Sequence, residues 1–256
     1  MEFGYIIAGF VVGLLVGLTG VGGGSLMTPI LVLFFHIKPA FAVGTDLLYA
    51  AITKSVGIFA HGKLGNIDWK IVKLLAYGSV PASIFTTLYL RQMDIASDNA
   101  VSTIKFWLGV ALLVTSLSVI FRTQLAKFSK RDHLINARFT PYLTVFLGLT
   151  LGFLVTLTSV GAGALGVTAL LIIYPNRLIT TIIGSDIAHA VPLTLVAGLG
   201  HASLGTVDYG LLGTLLIGSI PGIWLGSHLS SRVAEHWVRI ALAAILIFVG
   251  LKLIFH

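Results

Sequence analysis

The sequence contains no cysteine, which removes disulfides, thiolate nucleophiles and soft metal sites such as four-cysteine zinc from consideration. Charge is scarce as well. Asp, Glu, Lys and Arg make up only 10% of the residues, against about 25% in soluble globular domains. So few charges cannot cover a water-exposed surface, and a soluble fold is set aside. No Walker A pattern occurs, so no nucleotide-driven motor is expected, nor any other cofactor. The start Met1-Glu2-Phe3 carries an acid where a signal peptide would carry Lys or Arg, so the first segment is expected to stay attached.

What the chain has instead is apolar length. Hydrophobic residues make up 57% of it, and the mean hydropathy is +1.02. Apolar stretches at 5–18, 106–121, 143–157 and 240–255 recur between short polar joints. A spanning helix needs roughly 20 apolar residues, so an all-α polytopic protein of the cell membrane, its inner membrane in a bacterium, is expected. The net charge of +7 is not read as a nucleic-acid surface, because Lys and Arg fall in the joints and form no stripe with interleaved aromatics.

The chain repeats itself. Gly44-Thr45-Asp46 returns as Gly184-Ser185-Asp186, and the same offset of 140 carries His61 to His201, Gly65 to Gly205, Asp68 to Asp208 and Gly78-Ser79-Val80-Pro81 to Gly218-Ser219-Ile220-Pro221. Upstream, Val21-Gly22-Gly23-Gly24 pairs with Val160-Gly161-Ala162-Gly163 at an offset of 139. Ordered matches of Asp, His, Gly and Pro mark a duplication. The expected organisation is a first transmembrane repeat at 1–121, a basic cytoplasmic linker at 122–139 and a second repeat at 140–256.

Each unit opens on a stretch too long for one crossing and short for two, interrupted by glycines. If the chain turns back there, Lys63, Lys70, Lys73, the linker residues Arg122, Lys127, Lys130, Arg131 and Arg138, then Arg177, Arg232 and Arg239 gather on one side. Lys38, Arg91, Lys105 and Lys252 lie opposite. That distribution obeys the positive-inside tendency better than a single crossing, and it makes the two copies inverted. Eight long helices are expected, or ten segments if each broken first helix is split, with both termini outside the cytoplasm.

Glycines at membrane depth imply a cavity, since unpaired backbone is tolerated there only inside protein or beside water. A helix restarting after such a break directs free N–H groups and its positive end at whatever fills the cavity, which favours an anion. Gly22, Gly23, Gly24 and Ser25, with Gly161, Ala162 and Gly163, are therefore candidate substrate contacts, joined by Thr45, Ser185 and Lys54. Close packing of helices through small residues is the plainer explanation of the glycines. Lys54 is the one basic residue in its apolar stretch; it could attract an anion, neutralise Asp46 or snorkel to the interface. Asp46 and Asp186 follow Gly-Thr and Gly-Ser, where each could cap a helix or mark a proton or ion pathway. His61, His189 and His201 could carry protons or cap helix ends. Asp68 and Asp208 read as N-caps before Trp69 and Tyr209, and Pro81 and Pro221 as helix bends.

The glycine-broken first helix, the Gly-Thr-Asp and Gly-Ser-Asp pair, the Gly-Asn-Ile-Asp-Trp and Gly-Thr-Val-Asp-Tyr pair, and the two Gly-Ser-(Val/Ile)-Pro blocks resemble the TauE/SafE family over nearly the whole chain. The resemblance implies a membrane transporter linked to export of sulfite and organosulfonates, hence a small anionic substrate moved across the lipid bilayer, with a proton as possible partner. A cation or metal transporter using the Asp and His residues is the alternative. An intramembrane hydrolase using Ser25 or Ser185 is disfavoured, because no Gly-x-Ser-x-Gly context surrounds either serine.

Overall fold

The computed structural model describes residues 2–19, 26–63, 66–93, 97–132, 138–229 and 235–255. Among these the chain forms ten helices and no strand: α1 (Glu2–Thr19), α2 (Met27–Leu33), α3 (Pro39–Lys63), α4 (Trp69–Gln92), α5 (Asp98–Asp132), α6 (Thr140–Thr158), α7 (Ala164–Ile173), α8 (Ile179–Ser203), α9 (Tyr209–Leu229) and α10 (Glu235–Phe255). Five of them, α4, α5 over 98–122, α6, α8 and α9, are long and apolar enough to cross a membrane. Phe85, Phe146, Ile217 and Phe248 stand exposed on the outside, as they would against lipid tails.

Helix starts follow from local chemistry. The Asp68 side chain accepts from the Lys70 N–H at 3.1 Å and begins α4. Asp208 does the same for α9 through the Leu211 N–H at 2.9 Å. Both fill orphan donors of a first turn, the N-cap role expected from sequence. Much of the basic joint is helical. α5 runs without interruption from Asp98 to Asp132, 35 residues or about 50 Å at 1.5 Å per residue. It therefore outruns a hydrocarbon layer of roughly 30 Å, and Arg122 to Asp132 extend it as helix.

α6 and α7 form a hairpin. α6 ends at Thr158, Ser159 takes a left-handed φ of 59°, and α7 starts after Gly163. At the far end the Thr144 and Tyr174 hydroxyls meet at 2.8 Å, so α7 runs back along α6 and the chain returns to the end it left. α1 and α2 close in the same way. The Tyr5 and Phe35 rings lie 4.8 Å apart between centroids, which brings the end of α2 back to the start of α1. A ten-residue α7 spans only about 15 Å, half a membrane.

The remaining packing is close enough to exclude side chains. Gly9 lies on the Leu215 carbonyl, Gly17 on that of Ile223, and a Cβ at Gly13 would stand 2.5 Å from the Ser219 oxygen. From the other side, Gly218, Gly222 and Gly226 of α9 lie on the carbonyls of Ile6, Phe10 and Leu14. α4 and α6 meet likewise, with Gly78 on Val145, Gly148 on Leu75 and Gly152 on Ser79. Glycines spaced by four let two backbones approach in a bilayer, where association relies on van der Waals packing. One buried cluster joins Val12, Met27, Tyr49, Leu108 and Leu215; another joins Val43, Leu47, Ile104, Val155 and Leu193.

Charged side chains gather at both ends of the bundle. At one, Lys38, Arg91, Met93, Val101 and Gly205 line a cavity of about 460 Å³, and Asp98, Lys105 and Leu253 line a neighbouring one. At the other, the Arg177 guanidinium pairs with Asp68 at 3.0 Å. Replacing Gly13 by Val drives a side chain into the α9 backbone and should destabilise the protein by about 3 kcal/mol, the upper range of overpacking. Gly213→Ala, inside α9 where nothing lies within 4 Å, should leave the melting temperature in detergent at least as high.

Candidate functional site

α3 and α8 cross at the centre and carry the polar residues that the apolar stretches cannot otherwise accommodate. Thr45, Asp46, Ser185, Asp186 and His189 have no exposed surface, and Lys54 has 8%. Asp46 and Asp186 lie within α3 and α8, well past their first turns, so neither caps its own helix. Asp46 instead holds a different one. Its Oδ2 accepts from the Thr28 hydroxyl at 2.6 Å and the Thr28 N–H at 3.2 Å, at the start of α2.

Asp186 is placed against the start of α7 but is bonded differently. Its Oδ1 lies so close to Gly166 that no Cβ could stand there. The Gly163 backbone is near enough to act on the carboxylate, yet neither oxygen meets hydrogen-bond geometry. Lys54 reaches across from α3, and its ammonium donates to the Ala162 carbonyl at 3.0 Å. It acts electrostatically on both Asp186 and Asp46. Ser159 stands beside Asp46.

The turn that receives Lys54 explains its own sequence. Gly161 and Gly163 both have φ of +123°, which side chains rarely adopt, whereas Ala162 between them does not. The Thr158 hydroxyl accepts from the Val160 N–H at 3.1 Å and donates to the Leu154 carbonyl at 2.6 Å. Backbone that would be costly in hydrocarbon is thereby covered from within.

The other candidates separate. Thr45 Oγ1 accepts from the Asp208 N–H at 3.0 Å. Ser185 Oγ accepts from the Asp68 N–H at 2.8 Å and donates to the Thr181 carbonyl at 2.7 Å. Each hydroxyl therefore ties down a loop, and each is flanked by a glycine on that same loop: Gly44 on the Thr206 carbonyl and Gly184 on that of Asn66. His201 contacts the Thr156 carbonyl with Nε2 at 3.0 Å and Thr206 Oγ1 with Nδ1 at 2.9 Å. A carbonyl only accepts, so Nε2 carries the proton and the ring clamps α8 to α6. His189 Nε2 meets Ser79 Oγ at 2.8 Å, while its Nδ1 is buried without a partner. Gly22, Gly23, Gly24 and Ser25, and the side chain of His61, lie outside the described residues.

Thr28, Ser79 and Arg177 are partners to which sequence reasoning gave no bonding role. Ser79 was visible only as part of a repeated Gly-Ser block, and Thr28 and Arg177 carry no local pattern. The profile described as "Sulfite exporter TauE/SafE" matches residues 5–253. The chain belongs to the TauE/SafE family. A probable membrane transporter protein of Bacillus subtilis, YjnA, is 41% identical to it over 256 residues, 99% of this chain and 100% of its own. A probable membrane transporter protein of Methanocaldococcus jannaschii is 29% identical over 263 residues, 96% of this chain and 92% of its own. No solved structure matches. This TauE/SafE chain is accordingly a membrane transporter.

The hydroxyl ties at Thr45 and Ser185 should be structural. Thr45→Val and Ser185→Ala each strand a backbone N–H, which should cost about 1–3 kcal/mol. Thermal melts in detergent check this, with the double variant approaching the sum of the two.

Proposed function

We propose that this chain is a secondary transporter of small anions, sulfite or organosulfonates, working by alternating access between two inverted repeats as a multi-pass protein of the cell membrane. The observation that carries the reading is Lys54, a buried ammonium brought to the Ala162 carbonyl at the turn that opens α7. A cation next to a half-length helix with its positive end inward is an electrostatic trap for an anion. The family's description supplies the sulfur oxyanion.

Paired contacts support the repeats. Gly44 on Thr206 matches Gly184 on Asn66, Thr45 to Asp208 matches Ser185 to Asp68, and Gly13 on Ser219 matches Gly152 on Ser79. Tyr5 with Phe35 corresponds to Thr144 with Tyr174. Each pair follows the offsets of the sequence duplication, which supports units at 1–121 and 140–256. In this reading each unit begins with a glycine-broken hairpin, and the basic end of α5 faces the cytoplasm. The site comprises Lys54, Gly161, Ala162 and Gly163, with Gly22 to Ser25 as their counterpart and Asp46, Asp186 and His189 around them. No specific observation favours a metal cargo, since among the described residues no three His, Cys, Asp or Glu side chains converge.

Purified protein in liposomes should take up sulfite saturably, with sulfoacetate, sulfate, chloride and nickel as competitors. Lys54→Ala should lower sulfite uptake by about tenfold or more, the worth of a charge-assisted hydrogen bond. Saturable nickel uptake without anion movement would overturn the reading. A reporter fused after His256 should report a non-cytoplasmic C-terminus, and a cytoplasmic signal would sink the inverted arrangement.

A further inference from the structure

The anion reading leaves a buried carboxylate unexplained, and the inference drawn from it rests on that reading. Two acids face one ammonium at the centre of the molecule. Asp46 is committed, because its Oδ2 holds two donors of Thr28. Asp186 is wholly buried, and among the described residues no group meets either of its oxygens in hydrogen-bond geometry. One turn further along α8 lies His189, whose Nδ1 is buried and unpartnered too.

Among the described residues, Lys54 of α3 acts on Asp186 most strongly and Arg122 of α5 more weakly, and the Gly163 backbone, just before α7, acts on it too. Asp46 of α3 acts on the same ammonium. On α8 itself, His189 turns its Nε2 to Ser79 of α4. A buried carboxylate that no donor meets in hydrogen-bond geometry is costly, and such a group either pairs with a cation or takes a proton.

Asp186 stands where a substrate anion would be drawn, beside the start of α7 and the ammonium of Lys54. The two negative charges therefore compete for one cation. An anion gains Lys54 and the α7 terminus only once the carboxylate has been neutralised.

We propose that Asp186 is the coupling residue of this transporter, binding a proton together with the substrate anion and releasing it when the anion leaves. The proton comes from the aqueous phase on the side where the anion enters, adds to the Asp186 carboxylate, and returns to water on the other side. Anion and proton each raise the affinity of the site for the other, as linkage requires. Asp46 has no such part, because its carboxylate serves the start of α2.

The test uses the full chain in liposomes with radiolabelled sulfite, and protein-free vesicles as baseline. Two modes are compared: sulfite exchange at equal concentration on both sides, and uphill accumulation driven by a pH gradient, with a trapped pH dye reporting proton movement. Wild type should show both modes, and sulfite entry should carry protons with it. Asp186→Asn, which fixes the neutral form, should keep exchange within about threefold of wild type while accumulation falls to baseline. Gly213→Ala, where nothing lies within 4 Å, should keep both modes.

Uphill accumulation by Asp186→Asn overturns the assignment and leaves the anion reading standing. Wild-type sulfite uptake without proton movement overturns it whatever the variants do, including a variant that fails to fold. Absence of any sulfite flux in wild type removes the anion reading and this inference with it.

Discussion

Inside a bilayer a chain can interrupt a helix only where the protein itself covers the freed backbone groups, and the turn at 159–163 lives under that constraint. Its carbonyls and N–H groups are met by Thr158 on the same loop and by Lys54 from another helix. The lysine has to be long to reach from α3, and it has to be buried. Burial in turn calls for negative charge nearby, which Asp46 and Asp186 supply. The central polar cluster thus follows from one decision, to stop a helix halfway and send it back.

A second consequence concerns how the molecule holds together. Glycines at four-residue spacing bring α1 onto α9, and α4 onto α6, until backbone touches backbone. Thr45 and Ser185 then tie α3 to the loop before α9, and α8 to the loop before α4. Each half supplies the surface that the other needs. In a medium where lipid is as apolar as leucine, such close packing and buried hydrogen bonding replace the hydrophobic effect as the organising force.

Much of this was legible in the sequence because it depends on residue types with narrow uses. Asp before Trp or Tyr announced helix starts at 69 and 209, and the structure has them. Scarcity of charge and recurrence of apolar runs announced a membrane protein, and the helices and relatives agree. The roles at the centre were less legible, since they depend on distance. Nothing local distinguishes Asp46, whose carboxylate accepts from the start of α2, from Asp186, which acts on Lys54. Thr45 and Ser185 looked like substrate contacts because hydroxyls near a cavity do, yet their oxygens reach loops more than a hundred positions away. The basic joint looked like a connection because charge ends a span; it ends the apolar stretch but not the helix, whose hydrogen bonds are indifferent to polarity.

The glycine seams also bear on how such a protein is made. α1 leaves the ribosome well before its partner α9. Between those moments the glycine face of α1, the hydroxyl of Thr45 and the ammonium of Lys54 sit in the membrane without the groups they finally meet. The seam between α1 and α9 and the ties of Thr45 and Lys54 can close only after the later helices have been made.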